Sequence, residues 1–254
     1  MSERARVAVH FLPSTLAADL SDTAAIVIDV LRATTTIVAA LEAGCRGVVP
    51  IVSLEDTLAA AASGRYAPSL TAGERGGAPI PGLDHGNSPL EFSRARCEGR
   101  TLLLTTTNGS GALRAAADRG AASVRAGCLW NATAAADAAI ASGSAAIAVV
   151  CAGTRAEFAL EDAVTAGEIV AALGRRSNGR AIDLADSARA ALAIRERVGD
   201  GIERAFRESL GGRSLLALEG GERDLVACTA IDRSRSVPLL LPSGMLVLAN
   251  ASAR

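Results

Sequence analysis

Residues 24–43, AAIVIDVLRATTTIVAALEA, carry the pattern that decides the fold. Residues 24–30 are an almost unbroken apolar run with a single carboxylate, Asp29, near its end. Such a run suits a strand covered on both faces, which needs no polar alternation. Residues 33–43 return apolar side chains at helical spacing, so a helix follows. The same alternation continues, with strands read at 47–52, 101–105, 121–128 and 145–151 and helices at 54–63, 111–118, 131–142 and 157–173. Strand–helix alternation of this kind indicates an α/β fold: three layers, with a mostly parallel sheet flanked by helices.

Beyond Gly174 the chain turns polar and Arg/Gly-rich (GRRSNGR). A subdomain boundary is therefore possible near 174–183, within what otherwise reads as one domain over residues 1–254. A C-terminal helical segment is expected at about 184–209. The string SVPLLLPSGMLVLAN, residues 236–250, reads as a final strand pair joined at Pro242-Ser243-Gly244.

Composition excludes several chemistries. All 26 basic residues are Arg, so a Walker phosphate loop and a Schiff-base mechanism both lack their lysine. Arg still grips anions through its planar fork. Aromatic residues make up 2% of the chain and the net charge is −1, which argues against nucleic acid as a partner. Five scattered cysteines with no CxxC pair point away from disulfides and zinc and towards a reducing, cytoplasmic setting. The N-terminal MSERARVAVHFLPS has no long apolar core, and no apolar run reaches the ~18 residues of a membrane span. With only His10 and His85, a Ser-His-Asp hydrolase is disfavoured.

In open α/β sheets ligands bind beyond the carboxyl ends of strands, where helix N-termini offer N–H groups to anions. Three polar clusters occupy such places. The first is Asp29-Val30-Leu31-Arg32 followed by Ala33 and Thr34 to Thr36: a buried carboxylate needs a cation or metal, although an Asp29–Arg32 pair with a threonine cap would also account for it. The second, Thr105-Thr106-Thr107-Asn108-Gly109-Ser110-Gly111, is either an anion cradle without lysine or an ordinary Asn-Gly turn. As a dinucleotide loop it fails, because Arg114 stands at the third glycine position.

The third cluster is Cys151-Ala152-Gly153-Thr154, leading into a helix with Glu157, Glu161, Asp162 and Glu168. Helical spacing puts the three glutamates on one polar stripe and Asp162 on the apolar face, among Phe158, Ile169 and Leu173. Asp162 is therefore expected to turn toward Asp29 and help to hold a metal, with Glu161 as the substitute if the helix begins late. Glu74 and Arg75, and then Asn87 and Ser88, sit among glycines in what read as loops that approach a ligand.

Six strings occur in order: IDVLRATTT, AGERGG, GNSPLE, TTTNGS, VCAGT and LEDAVTAG. In this the chain resembles the 2-phosphosulfolactate phosphatases, from about residue 20 to 240, and the later run with Arg213, Asp224, Cys228, Asp232 and Pro238 resembles them too. Two positions depart from the pattern: Ser110 replaces the usual Thr, and His85 a common aliphatic residue.

The resemblance implies a Mg²⁺-dependent hydrolase converting 2-phosphosulfolactate to sulfolactate and phosphate, a step toward coenzyme M. Asp29, Arg32, Glu74, Glu161 and Asp162 are its expected catalytic residues, with Asp29, Glu161 and Asp162 as metal ligands. Thr34, Thr35, Arg75, Asn87, Ser88, Thr106, Thr107, Asn108, Gly109, Cys151 and Gly153 are expected to bind substrate. The expected partner is a small anionic phospho-acid, with a homo-oligomer possible. Another 2-phospho-carboxylate, or a non-catalytic role in binding organic anions, stays open on the residues alone.

Overall fold

A computed structural model describes residues 4–177, 179 and 181–248. The chain runs through β1 (Arg4–His10), β2 (Thr23–Ile28), α1 (Ala33–Glu42), β3 (Gly47–Ile51), α2 (Leu54–Ala62), β4 (Ser69–Arg75) and β5 (Ala78–Pro79). It continues through α3 (Arg94–Cys97), β6 (Thr101–Thr105), α4 (Gly109–Asp118), β7 (Ser123–Gly127), α5 (Ala132–Ala141), β8 (Ala146–Cys151) and α6 (Leu160–Arg176). Then come β9 (Ala181–Leu184), α7 (Asp186–Val198), α8 (Ile202–Glu208), α9 (Leu210–Leu216), α10 (Gly221–Cys228), β10 (Pro238–Leu240) and β11 (Leu246–Leu248).

All eleven strands join one sheet, ordered β5-β4-β6-β3-β11-β10-β7-β2-β8-β1-β9. Two parallel blocks, β4-β6-β3 and β7-β2-β8-β1-β9, are joined by the β10–β11 hairpin, which pairs antiparallel with β7 on one side and β3 on the other. The mostly parallel, helix-flanked sheet and the final strand pair are as the sequence led one to expect.

The apolar run of β2 is divided between two cores. Ala24, Ile26 and Ile28 belong to one, and Ala25 and Val27 to the other. Residues of α5 to α10 fill the first, and those of α3, α4 and part of α1 fill the second, which makes three layers. Each fully buried isoleucine contributes roughly 1.5–3 kcal/mol.

Several boundaries differ from expectation. β1 alternates buried and more exposed residues, its polar positions held by Arg4, Arg6 and His10, so it lacks an apolar run. Glu74 and Arg75, expected in a loop, are the last two residues of β4. α6 begins at Leu160 and runs to Arg176, into the expected linker; Asn178 and Arg180 of that linker lie outside the described residues. The expected helical segment becomes β9 and α7 to α8, with α9 and α10 beyond it. No helix among the described residues is long and apolar enough to cross a membrane.

Candidate active site

The loops after β2, β4, β6 and β8 meet at the carboxyl end of the sheet, and α9 closes over them. They frame an open cavity of about 100 Å³. Asp29, Arg32, Glu74, Asn87, Thr107 and Asn108 line it, joined by Leu31, Thr154, Arg155, Gly211, Ser214 and Leu215.

Asp29 stands one residue past β2, where its carboxylate accepts the N–H of Ala33 and of Gly109, the first residues of α1 and α4. Two helix N-termini favour the anion. Burial opposes them and is the largest influence, followed by repulsion from Glu74; Glu161 adds a smaller push, and the pKa rises to about 7. Gly109 is required by this approach: a Cβ there would lie 2.8 Å from Asp29 Oδ2 and 2.7 Å from the Ala33 Cβ.

Glu74 accepts from Gly77 N–H at 2.6 Å, and from the N–H and hydroxyl of Thr107 at 2.6 and 2.9 Å. Thr106 Oγ1 accepts from Ser110 N–H at 3.0 Å. Three amides of the Thr105–Gly111 segment are thus spent on the protein's own groups: Thr107 on Glu74, Gly109 on Asp29 and Ser110 on Thr106. Two of the groups these donors meet are resident carboxylates, Asp29 and Glu74.

Arg32 does not pair with Asp29. Its Nη1 donates to Asp224 Oδ2 of α10 at 2.7 Å and its Nη2 to Gly77 O at 2.6 Å. Ser88 Oγ donates to the other oxygen of Asp224 at 2.5 Å. Asp224 lies 192 residues beyond Arg32, so no local spacing could reveal the pair.

Asp162 lies close enough to Asp29 to feel its charge, and burial followed by Asp29 and Glu161 pushes its pKa well up. Both its oxygens are engaged: Val30 N–H donates to Oδ1 at 3.0 Å and Gly153 N–H to Oδ2 at 3.1 Å. It ties the loop after β2 to the loop after β8.

The solvated glutamate stripe expected on α6 is corrected. Glu161 and Glu168 are buried, because α7 to α9 cover that face, and Glu168 is paired with Arg175 and Arg195. Phe158, expected on the apolar face, precedes the helix and is 47% exposed. Glu161 Oε1 accepts from Thr154 Oγ1 at 3.4 Å, while its buried Oε2 has no protein partner. Asn87 Oδ1 is likewise buried without a partner.

The other expected binding residues lie behind the cavity wall. Thr34 and Thr35 bond back to Asp29 O and Val30 O, and Thr36 reaches across to Asn87 O. Arg75 turns away, toward Val52 O and Thr105. Cys151 is buried, and burial above all pushes its thiol pKa well up. Gly153 serves Asp162.

The sequence reading missed Thr154, Arg155 and the α9 residues. One signal lay in Gly211-Gly212, a glycine pair inside a helical stretch. A Cβ at Gly211 would collide with Glu161 Oε1.

A divalent cation fits these residues. The Glu161 carboxylate raises the cost of ionising Asp29, and its own Oε2 is a buried oxygen left unsatisfied. Among the described residues no three His, Cys, Asp or Glu side chains form a complete cage. Magnesium needs only one or two carboxylates, taking its other ligands from water and substrate oxygens.

Residues 10–242 match the model of the 2-phosphosulpholactate phosphatase family. A protein of Deinococcus radiodurans named probable 2-phosphosulfolactate phosphatase is 41% identical over 93% of this chain and 94% of its own length. Proteins of the same name from Thermotoga petrophila and Thermus thermophilus are 37% and 38% identical, over 88% and 85% of this chain and 91% and 86% of theirs.

Proposed function

The chain belongs to the 2-phosphosulpholactate phosphatase family, a family of phosphoric monoester hydrolases, and on that premise we propose that it hydrolyses 2-phosphosulfolactate to sulfolactate and phosphate with the help of Mg²⁺. The place of such a reaction is a route of the coenzyme M type. One observation carries the reading: a cavity at the carboxyl end of the sheet whose backbone donors already serve Asp29 and Glu74. An anionic substrate can enter among those carboxylates only together with a cation.

Glu161, whose Oε2 is buried without a protein partner, would hold the magnesium ion, which would supply positive charge at the phosphoryl oxygens when bound. Asp162, with both oxygens engaged, fixes the distance between the two loops. A carboxyl group whose pKa is about 7 exchanges its proton readily at neutral pH. Asp29 therefore takes a proton from the attacking water as the water oxygen bonds to phosphorus. The phosphorus–oxygen ester bond breaks, and the departing alkoxide recovers that proton. Arg32, gripped by Asp224, holds the β4–β5 turn against the cavity through Gly77.

The test is phosphate release from a panel of phospho-acids, before and after chelation and magnesium repletion. Release from 2-phosphosulfolactate that stops on chelation and returns with magnesium is expected. Undiminished release in excess chelator overturns the metal, and no release from any phospho-acid overturns the hydrolase.

A further inference from the structure

The charged groups of the cavity are unequally committed. Asp29, Arg32, Glu74 and Arg155 line it. Arg32 is neutralised by Asp224, and Glu74 is saturated by amides and a hydroxyl. Arg155 is different: among the described residues it makes neither an ion pair nor a hydrogen bond. It is also exposed to solvent at the rim.

Its backbone is unusual as well. Thr154 and Glu157 exchange both backbone hydrogen bonds at 3.0 Å, so Arg155 and Ala156 are the two central residues of a tight hairpin turn. Their φ angles are +55° and +62°. Two left-handed residues in such a turn normally call for Asn-Gly or Asp-Gly. Arg-Ala is held there against preference, and such departures gather where a side chain must be aimed. The anchor is close by, since Gly153 N–H is gripped by Asp162.

A neighbouring cavity of about 230 Å³ shares Arg32 and Gly77 with the first. It holds Glu91, Glu219 and Asp224 against Arg32 and Arg223. That balance is net negative and repels an anionic tail. The uncompensated positive charge lies at the other rim, at Arg155.

We propose that Arg155 is a specificity-determining residue, which engages a second anionic group, carboxylate or sulfonate, on the phosphate ester held in the cavity. This rests on the phosphatase reading given above and adds the basis of selection within it. The guanidinium fork suits either group through paired hydrogen bonds.

The experiment compares wild type, Arg155→Gln and Arg155→Lys on two magnesium-supplemented substrates of similar length. One is 2-phosphosulfolactate and the other a phosphate monoester with a neutral tail. For Arg155→Gln, kcat/KM should fall about 30-fold on the first, mostly through KM, in keeping with loss of one charge-assisted contact. The loss on the neutral-tailed ester should be at least tenfold smaller, and Arg155→Lys should recover part of the first loss. Equal losses on both substrates would reduce Arg155 to a structural role and overturn the inference. Calorimetric titration with sulfolactate keeps the two readings separable. Weaker binding to Arg155→Gln in a protein without phosphatase activity overturns only the phosphatase reading, whereas unchanged binding overturns the role of Arg155.

Discussion

Gly109→Ala sets two magnitudes against each other. At the first position of α4, with no positive φ to accommodate, alanine should stabilise the helix by about 0.5–1 kcal/mol. The added methyl would, however, lie 2.7 Å from Ala33 Cβ and 2.8 Å from Asp29 Oδ2, where carbon contacts settle at roughly 3.5–4.0 Å. Relieving that overlap moves α4 or Asp29 by most of an ångström and costs about 1–3 kcal/mol. The overlap wins, leaving a net loss of about 1–2 kcal/mol and a fall in Tm of roughly 2–8 °C. Proton transfer is proposed for the displaced carboxylate, so kcat/KM for phosphate release should drop about 100-fold. Gly111→Ala is the control: it lies on the same helix with nothing within 4 Å, and should raise Tm slightly at full activity. Thermal denaturation and steady-state kinetics on both variants decide the matter. If Gly109→Ala is as stable and as active as Gly111→Ala, the close approach of α4 to Asp29 is wrong.

Arg32→Lys keeps the charge but cannot serve Asp224 and Gly77 O together, so a loss of about 1–3 kcal/mol by urea denaturation and at least a tenfold fall in kcat/KM are expected; wild-type values would make the ion pair incidental. Asp162→Asn places a donor against Val30 or Gly153 N–H and should cost about 1–3 kcal/mol, while the magnesium concentration for half-maximal activity stays within about twofold. A tenfold rise in that concentration would make Asp162 a ligand rather than a clamp. The raised pKa of Asp29 means that the native protein keeps a proton the unfolded chain releases near pH 4, so stability is greatest at low pH and is lost as pH rises toward 7. The difference amounts to about 4 kcal/mol at most in metal-free protein. Urea midpoints at pH 5 and 8 for wild type and Asp29→Asn test it, and a wild-type dependence no steeper than the variant's would refute it.

What the sequence revealed tracks how local the physics is. β2, β6 and β8 are covered on both faces, so their composition announces them. β1 is buried on one face only and its arginines hid it, although it lies between β8 and β9. Asp29 was singled out because charge at the end of an apolar strand needs a local reason, and Glu74 because it is a charge set among glycines. Arg32 was singled out, but its partner Asp224 stands 192 residues away, beyond the reach of local spacing. The burial of Glu161 and Glu168 depends on helices that follow much later in the chain. Helical periodicity identifies a face; it does not say what will come to cover it.

The hairpin of β10 and β11 has a consequence for the order in which the molecule can be made. Asp29 and Asp162 belong to one parallel block and Glu74 and Thr107 to the other, and the hairpin closes the sheet between them. During synthesis β3 and β7 emerge long before residues 238–248, each with an open edge that invites foreign strands. The catalytic groups can be present in a nascent chain while the sheet that aligns them is still in two pieces. A chain stopped short of residue 238 would not be a slightly trimmed enzyme. It would be two half-sheets with sticky inner margins, inactive and prone to aggregate.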